Sequence, residues 1–241
     1  MYINPLFRNF KEMKTPSEIN ILIGCEESQT VCKAFRALGF NAFSNDLKPC
    51  SGGHPEWHLQ MDVFEAIKLK QWDMAVFHPT CTYLSNVGNA WFNEEKYGDK
   101  ARGRKAKRDE ALRFFVKLHN CGIPRICLEN PVGWVNSNFR KPDQVIQPYY
   151  FGDPESKSTC LWLIGLPKLQ HSPCNSLFYE KTHVSRIDIM FYKSGKKAGK
   201  PITFNDRFKI SEDRQALRSK TFPGIANAMA SQWGYFLIER D

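Results

Sequence analysis

Residues 19–46 read INILIGCEESQTVCKAFRALGFNAFSND, and the change of hydrophobic period inside this stretch decides the fold. Residues 19–25 are a short apolar run, the signature of a strand buried on both faces. Val31, Ala34, Phe35 and Leu38 then recur at helical spacing, and Gly39 ends that helix. Residues 41–46 form a second strand that finishes on an acid, Asp46.

The same alternation continues outward. Residues 58–62 predict a third short strand, again ending on an acid, before a helix from Val63. Residues 73–78 give a fourth strand stopped by Pro79, and residues 111–118 carry helical periodicity. A fifth strand at 124–128 is broken after Glu129-Asn130 by Pro131. Two more strands, 144–151 and 159–164, flank the turn at Gly152-Asp153-Pro154, and residues 225–238 predict a closing helix. Strands alternating with helices predict an α/β fold, a doubly wound, mostly parallel sheet covered on both faces. Four segments are expected: an N-terminal extension (1–18), a catalytic and cofactor-binding domain (19–165), a small insert (166–220) and a C-terminal helix returning to that domain (221–241).

The chain has 241 residues, of which 42% are hydrophobic and 13% aromatic, enough to build a core and too apolar for disorder. No run approaches the roughly 20 apolar residues of a membrane span, and no apolar segment follows Met1 to make a signal peptide. A soluble, intracellular protein is expected. Its eight cysteines are scattered without the dense spacing of a secreted scaffold, so free thiols are expected. Net charge is +9, and the excess is local. Residues 96–108 (KYGDKARGRKAKR) hold seven Lys or Arg and one Asp, and residues 186–220 hold ten against four acids. A near-neutral body with two basic segments reads as a phosphate-binding surface, although solvated basic loops look the same.

In open α/β sheets, ligands bind beyond the carboxyl ends of the strands. The residues there are Gly24-Cys25-Glu26-Glu27, Asp46, Asp62, His78-Pro79-Thr80-Cys81 and Glu129-Asn130-Pro131. An acid ending the second strand suits the two hydroxyls of an adenosine ribose, and one after the third suits an adenine amino group. Each acid is equally a preferred helix N-cap. Gly24 stands without a G-x-G-x-x-G pattern, which disfavours a dinucleotide oxidoreductase. Cys50, His54 and His58, and His171, Cys174 and His183, form no recognised zinc framework, so no metal is expected.

The order of these motifs resembles the cytosine-C5 DNA methyltransferases, especially the compact orphan enzymes of phages and prophages. The resemblance runs from about Ile19 to Gly234. Residues 21–46 are similar to the family's cofactor-binding strand, helix and strand, with Gly24-Cys25-Glu26-Glu27-Ser28 where the family has an aromatic-x-Gly-x-Gly loop. HPTCTYLS (78–85) resembles the Pro-Cys nucleophile loop, with Thr80 in place of a proline, and LENP (128–131) resembles the Glu-Asn motif. YFGDPESKSTCLWL (150–163) resembles the strand that carries Gln-x-Arg-x-Arg, with Glu155, Lys157 and Thr159 at those three positions. GIANAMASQWG (224–234) resembles the closing motif.

The resemblance implies the S-adenosylmethionine-dependent methyltransferase fold and methyl transfer from S-adenosylmethionine to C5 of a flipped cytosine in duplex DNA. Cys81 would be the nucleophile and Glu129 the group that binds the base, with Lys157 and Thr159 completing the catalytic set. Glu129 would work best with a carboxyl pKa raised by partial burial. Gly24, Cys25, Glu26, Glu27, Asp46, Leu47, Asp62, His78, Pro79, Asn227 and Ala228 would bind the cofactor. The neutral Asn227 favours an ordinary methyl donor over one carrying an extra carboxylate. The stretch from Cys81 through Asn89 to Arg108 is expected to be a mobile loop closing over the target. Ser85, Arg102, Arg104, Lys105, Arg108, Arg186, Lys209 and Arg218 are the candidate nucleic-acid contacts. A short insert at 166–220 implies a short recognition sequence or relaxed specificity. The resemblance further implies a monomer without membrane contact, in the cytoplasm of a bacterial host. An RNA cytosine-C5 methyltransferase and a catalytically silent DNA-binding protein are the alternatives. The second has no need for both Cys81 and Glu129.

Overall fold

The computed structural model of the chain describes residues 14–153, 155–171, 191, 193–196, 198–200 and 220–240. Its centre is a seven-stranded sheet: β1 (Asn20–Gly24), β2 (Asn41–Asp46), β3 (His58–Gln60), β4 (Met74–Phe77), β5 (Ile126–Pro131), β6 (Gln144–Ile146) and β7 (Thr159–Ile164). The spatial order is β3-β2-β1-β4-β5-β7-β6. Strands β1 to β5 run parallel, β7 is antiparallel to β5, and β6 is antiparallel to β7. Only β7 is therefore reversed among these strands. β2 and β3 lie on one side of β1 and β4 and β5 on the other, so the chain changes its direction of travel between β1 and β4. Such a switch point leaves a crevice at the carboxyl ends of the strands.

Period-two alternation sorts the strand residues onto two faces. Ile21, Ile23, Met74, Val76, Cys127 and Leu161 pack with Val31, Cys32 and Phe35 of helix α1 (Thr30–Ala37). Ile225, Met229, Trp233 and Leu237 belong to the same cluster. They come from α6 (Pro223–Ala228), a π-helical turn (Met229–Trp233) and α7 (Gly234–Arg240). Leu22, Ala75, Phe77, Ile126, Leu128 and Trp162 make the opposite face. They pack with α2 (Val63–Lys68), α4 (Asp99–His119) and α5 (Trp134–Asn138). The sheet is doubly wound, as the alternation implies.

Besides the fifth strand, expected at 124–128 but running Ile126–Pro131 because Glu129, Asn130 and Pro131 pair with β7, two elements differ from expectation. The strand expected at 144–151 stops at Ile146, and Pro148–Phe151 is a 3-10 turn closed by Gly152 at φ 94°. Pro148 has no N–H for the ladder, which ends the strand. The second difference concerns the basic run. The mobile loop expected through Arg108 is replaced by a short helix α3 (Glu94–Tyr97) and then the 21-residue α4, which contains Lys100 to Arg108. Ala101, Arg108, Ala111, Phe115 and Leu118 form its buried stripe. Reading Arg108 as polar broke the helical period, because a buried arginine does the work of an apolar residue there.

Of the expected segments, the insert at 166–220 lies largely outside the described residues. So do Arg186, Lys209 and Arg218.

Candidate active site

Gly24 ends β1 at the switch point, where a Cβ would stand 2.5 Å from the Phe77 ring of β4. The chain then turns sharply. Cys25 sits at φ 60° and Gln29 at φ 58°, a left-handed conformation unusual for residues with side chains. Cys25 thus holds the kind of position that a glycine-rich loop fills without strain. Between them the buried Glu26 accepts hydrogen bonds from the N–H groups of Val31 (2.7 Å) and Cys32 (3.2 Å). These are free donors of the first turn of α1, so Glu26 ties the turn to the helix. Burial raises its carboxyl pKa, an effect opposed by the charge of His78 and by these two bonds.

The turn opens onto a cavity of about 690 Å³. Its lining includes Cys25, Glu26, Glu27, Ser28, Asn45, Asp46, Leu47, Lys48, Met61, Asp62, Val63, His78, Thr80, Phe114, Lys220 and Thr221. Of the residues expected to bind the cofactor, Cys25, Glu26, Glu27, Asp46, Leu47, Asp62 and His78 meet here. Asp46 accepts from the Lys48 N–H at 3.0 Å. Asp62 also accepts from the Phe64 N–H at 2.8 Å and so is the N-cap of α2 as well as part of the lining. Burial, with the charges of Asp46 and Asp62, pushes the Cys25 thiol up to about 12. Asn227 and Ala228 do not join this group. They line a different cavity of about 500 Å³, with Tyr150, Phe151 and His171, because α6 packs against α1 and the turn at Pro148–Phe151.

The second half of the site stands at the ends of β4 and β5. Phe77 lies opposite Leu128 in register, so the segments that follow stand side by side. The loop after β4 carries His78, Pro79, Thr80 and Cys81; beside it Glu129, Asn130 and Pro131 are the last three residues of β5, paired with β7, and Val132 and Gly133 follow them. They are stitched together. Buried Asn130 donates from Nδ2 to the Pro79 carbonyl at 2.8 Å. The Trp134 N–H donates to the Leu84 carbonyl at 2.7 Å, and Ser85 bridges to Gly133. A Cβ on Gly133 would stand 1.9 Å from the Leu84 oxygen, so only glycine permits this approach. Ser85, expected at nucleic acid, caps the following 3-10 turn by accepting from the Val87 N–H. Pro79 is thereby held through its carbonyl and is absent from the cavity lining.

Glu129 is 14% exposed and its Oε2 lies 3.3 Å from Nδ1 of His78, which is 7% exposed. Burial acts to raise the Glu129 carboxyl. The His78 hydrogen bond, the Lys157 charge and the His78 charge outweigh it, and the net pKa is lowered. The raised pKa expected from burial is thus reversed by two cationic partners. Thr159, 3% exposed, donates its hydroxyl to the Lys157 carbonyl at 3.2 Å. It is committed to the backbone that carries Lys157.

Seven described cysteines, Cys25, Cys32, Cys50, Cys81, Cys121, Cys127 and Cys160, are free thiols. Burial drives the thiols of Cys25 and Cys32 to about 12, Cys127 well above its usual range, and Cys121 and Cys160 upward. Those five are kept protonated. Cys81 lies on the loop that the Asn130–Pro79 bond ties to the end of β5, beside Glu129. No group of three or more His, Cys, Asp or Glu suited to a metal occurs among the described residues.

The basic residues serve α4 itself. Arg108 stacks on Phe92 at 3.1 Å and Trp134 at 4.3 Å between ring centroid and Cζ, and donates to the Tyr83 carbonyl and Asn89 Oδ1. Desolvation lowers its pKa, with the Arg104 charge acting in the same direction. Arg104 stacks on Tyr83 and Phe92. Arg102 pairs with Asp99, and Lys105 with Glu94. Arg108 is therefore an internal clamp between α4 and the segment after Cys81, in place of the phosphate contact expected of it. Sequence reading places Asn130 at a strand end without a role for it, and passes over Gly133. The signal available for Gly133 was a glycine two residues after Pro131, with which β5 ends.

Strand order, reversed β7 and a cleft at the β1/β4 switch point together define the S-adenosylmethionine-dependent methyltransferase fold expected from the sequence. No family model and no curated protein matches the chain. Among solved structures it is similar to the Dnmt2 methyltransferase of S. pombe, at 17% identity and a TM-score of 0.42, over 62% of this chain and 52% of that one. It is also similar to the Entamoeba histolytica methyltransferase EhMeth, at 14% identity and a TM-score of 0.46, over 66% of this chain and 57% of that one. The chain thus spans between half and three-fifths of those two proteins.

S-adenosylmethionine is the donor that the fold implies, and the cleft fits it. Its volume lies in the ~300–1,000 Å³ range of small-molecule sites, and it presents a carboxylate after β2 and another after β3. Asp46 would hold the ribose hydroxyls, Asp62 the adenine amino group, and the turn at Cys25–Ser28 the amino-acid end.

Proposed function

We propose that the chain is a DNA cytosine-C5 methyltransferase. One observation carries this reading: the loop that carries Cys81 is tied through the Asn130–Pro79 bond to the strand end that carries Glu129, and His78 and Thr80 of that loop line a cleft suited to S-adenosylmethionine. Bound in the cleft, the donor supplies an electrophilic methyl group.

Cytosine C5 is a poor nucleophile and needs activation. A Cys81 thiolate adds to C6 and makes C5 an enamine-like carbon. Glu129 accepts from the exocyclic amino group and faces N3, so the base is held edge-on while charge develops. Lys157 neutralises the enclosed carboxylate, and Thr159 braces Lys157 by donating its hydroxyl to the Lys157 carbonyl. The Asn130–Pro79 bond and the Gly133–Leu84 approach keep the thiol in place. After methyl transfer, a solvent water takes the C5 proton, the C5–H pair becomes the C5–C6 double bond, and Cys81 leaves C6 as the thiolate.

Neither face of C6 is accessible in stacked DNA, so the base must be extruded. The net charge of +9 suits a polyanion, and residues 166–220 are the segment left to read sequence. A monomeric protein of a phage or prophage, acting in the host cytoplasm, is the setting that the sequence resemblance suggests. The test is Cys81→Ala, which should abolish formation of 5-methylcytosine while leaving DNA affinity unchanged. RNA offered in parallel distinguishes the two polymers.

A further inference from the structure

We propose that His78 is a proton relay for Glu129: it gives its Nδ1 proton to the carboxylate, which passes it to N3 of cytosine as Cys81 bonds to C6. This rests on the cytosine-C5 reading above. His78 acts through Glu129 and is a positioning residue.

The geometry makes the pair. His78 Nδ1 lies 3.3 Å from Glu129 Oε2, and both side chains are largely enclosed. The His78 N–H donates to the Gly24 carbonyl at 3.0 Å and Asn130 holds the carbonyl of Pro79, so the imidazole is fixed where β1, β4 and β5 end. An ionised carboxylate only accepts hydrogen bonds, so the proton between them belongs to Nδ1. The other ring nitrogen, Nε2, is buried and has no partner among the described residues. The groups facing the pair are Glu26 from the turn after β1, Lys157 from the segment before β7, and Glu129 itself on β5.

The chemistry requires such a source. With its carboxyl held below the usual range, Glu129 enters the reaction ionised and has no proton to give N3. When the thiolate pair forms the S–C6 bond, the C5–C6 π pair moves to C4–C5 and the C4–N3 π pair settles on N3. N3 takes the proton from Glu129, and Glu129 takes that of His78. His78 is left neutral and Glu129 ends as the carboxylate it began. Elimination of Cys81 returns the proton by the same route.

His78→Asn places an amide donor near the Nδ1 position without a transferable proton, and His78→Gln is the second variant if circular dichroism shows the first to be unfolded. Two readouts are compared with wild type: the pH profile of kcat for methyl transfer to duplex DNA, and the titration of the Glu129 carboxyl by 13C NMR, assigned with Glu129→Gln. The expected result is a kcat lower by about 100-fold, little change in KM, an altered pH profile of kcat, and an upward move of the Glu129 titration. A variant that keeps the wild-type rate and profile overturns the relay. If wild type methylates no polymer, the cytosine reading falls separately. The carboxyl titration then decides for His78: the same midpoint in both proteins overturns the pairing, and an upward move upholds it.

Discussion

Cys25 and Cys81 are both partly accessible thiols near one cleft, yet their surroundings divide them. Burial and two nearby carboxylates push Cys25 up to about 12, which leaves almost no thiolate near neutral pH. Brief alkylation with iodoacetamide at about pH 8 should therefore label Cys81 and spare Cys25, Cys32 and Cys127, read by peptide mass spectrometry. Glu129 makes the opposite case, a buried carboxyl kept ionised by His78 and Lys157. A carboxyl whose folded pKa lies below its unfolded value contributes stability above the unfolded value and loses it as pH falls through the folded one. The stability advantage of wild type over Glu129→Gln should accordingly be full above about pH 5 and shrink below about pH 4. Urea unfolding across that range measures it; an advantage that grows in acid would contradict the assignment. The candidate nucleophile and carboxylate were legible as residue types at strand ends. The direction of the carboxyl pKa was not, because it depends on a histidine and a lysine brought in from β4 and the segment before β7.

At the scale of elements, β1 to β5, α1 and the existence of β7 follow from hydrophobic period and from where Gly39 and Pro79 stand, whereas the reversal of β7 and the run of β5 through Pro131 do not. Helix α4 was only half legible. Its inner stripe includes Arg108, whose guanidinium stacks on Phe92 and Trp134, and pattern reading counts an arginine as surface. Two predictions separate a clamp from a phosphate contact. Arg108→Ala should lower stability by about 2 kcal/mol or more, seen as a lower urea midpoint, and should leave the slope of DNA affinity against salt unchanged. A phosphate contact would instead reduce that slope by about one counterion. Gly133→Ala tests the stitch between the β4 and β5 loops. Its backbone is extended at φ 175°, so the substitution is opposed only by the Leu84 carbonyl, which a methyl group would meet at 1.9 Å. The variant should lose methyl transfer through displacement of the Cys81 loop while retaining S-adenosylmethionine binding in the cleft, which isothermal titration would measure.

The whole molecule joins a donor cleft at the β1/β4 switch point to a thiol and carboxylate at the ends of β4 and β5. Parallel strands bring the two halves to one edge of the sheet, which is why residues from 24 to 129 meet although the chain between them is long. The cleft was legible because a crevice follows from strand order, whereas the position of Asn227 was not, since it depends on how α6 packs against α1. The central claim is methyl transfer to cytosine through Cys81. The most direct measurement incubates the pure protein with methyl-labelled S-adenosylmethionine and, separately, duplex DNA, single-stranded DNA and RNA of mixed sequence, followed by nucleoside mass spectrometry. The account predicts labelled 5-methylcytosine from duplex DNA with wild type and none with Cys81→Ala. Label appearing undiminished with Cys81→Ala, or on a nucleoside other than cytidine, would contradict it.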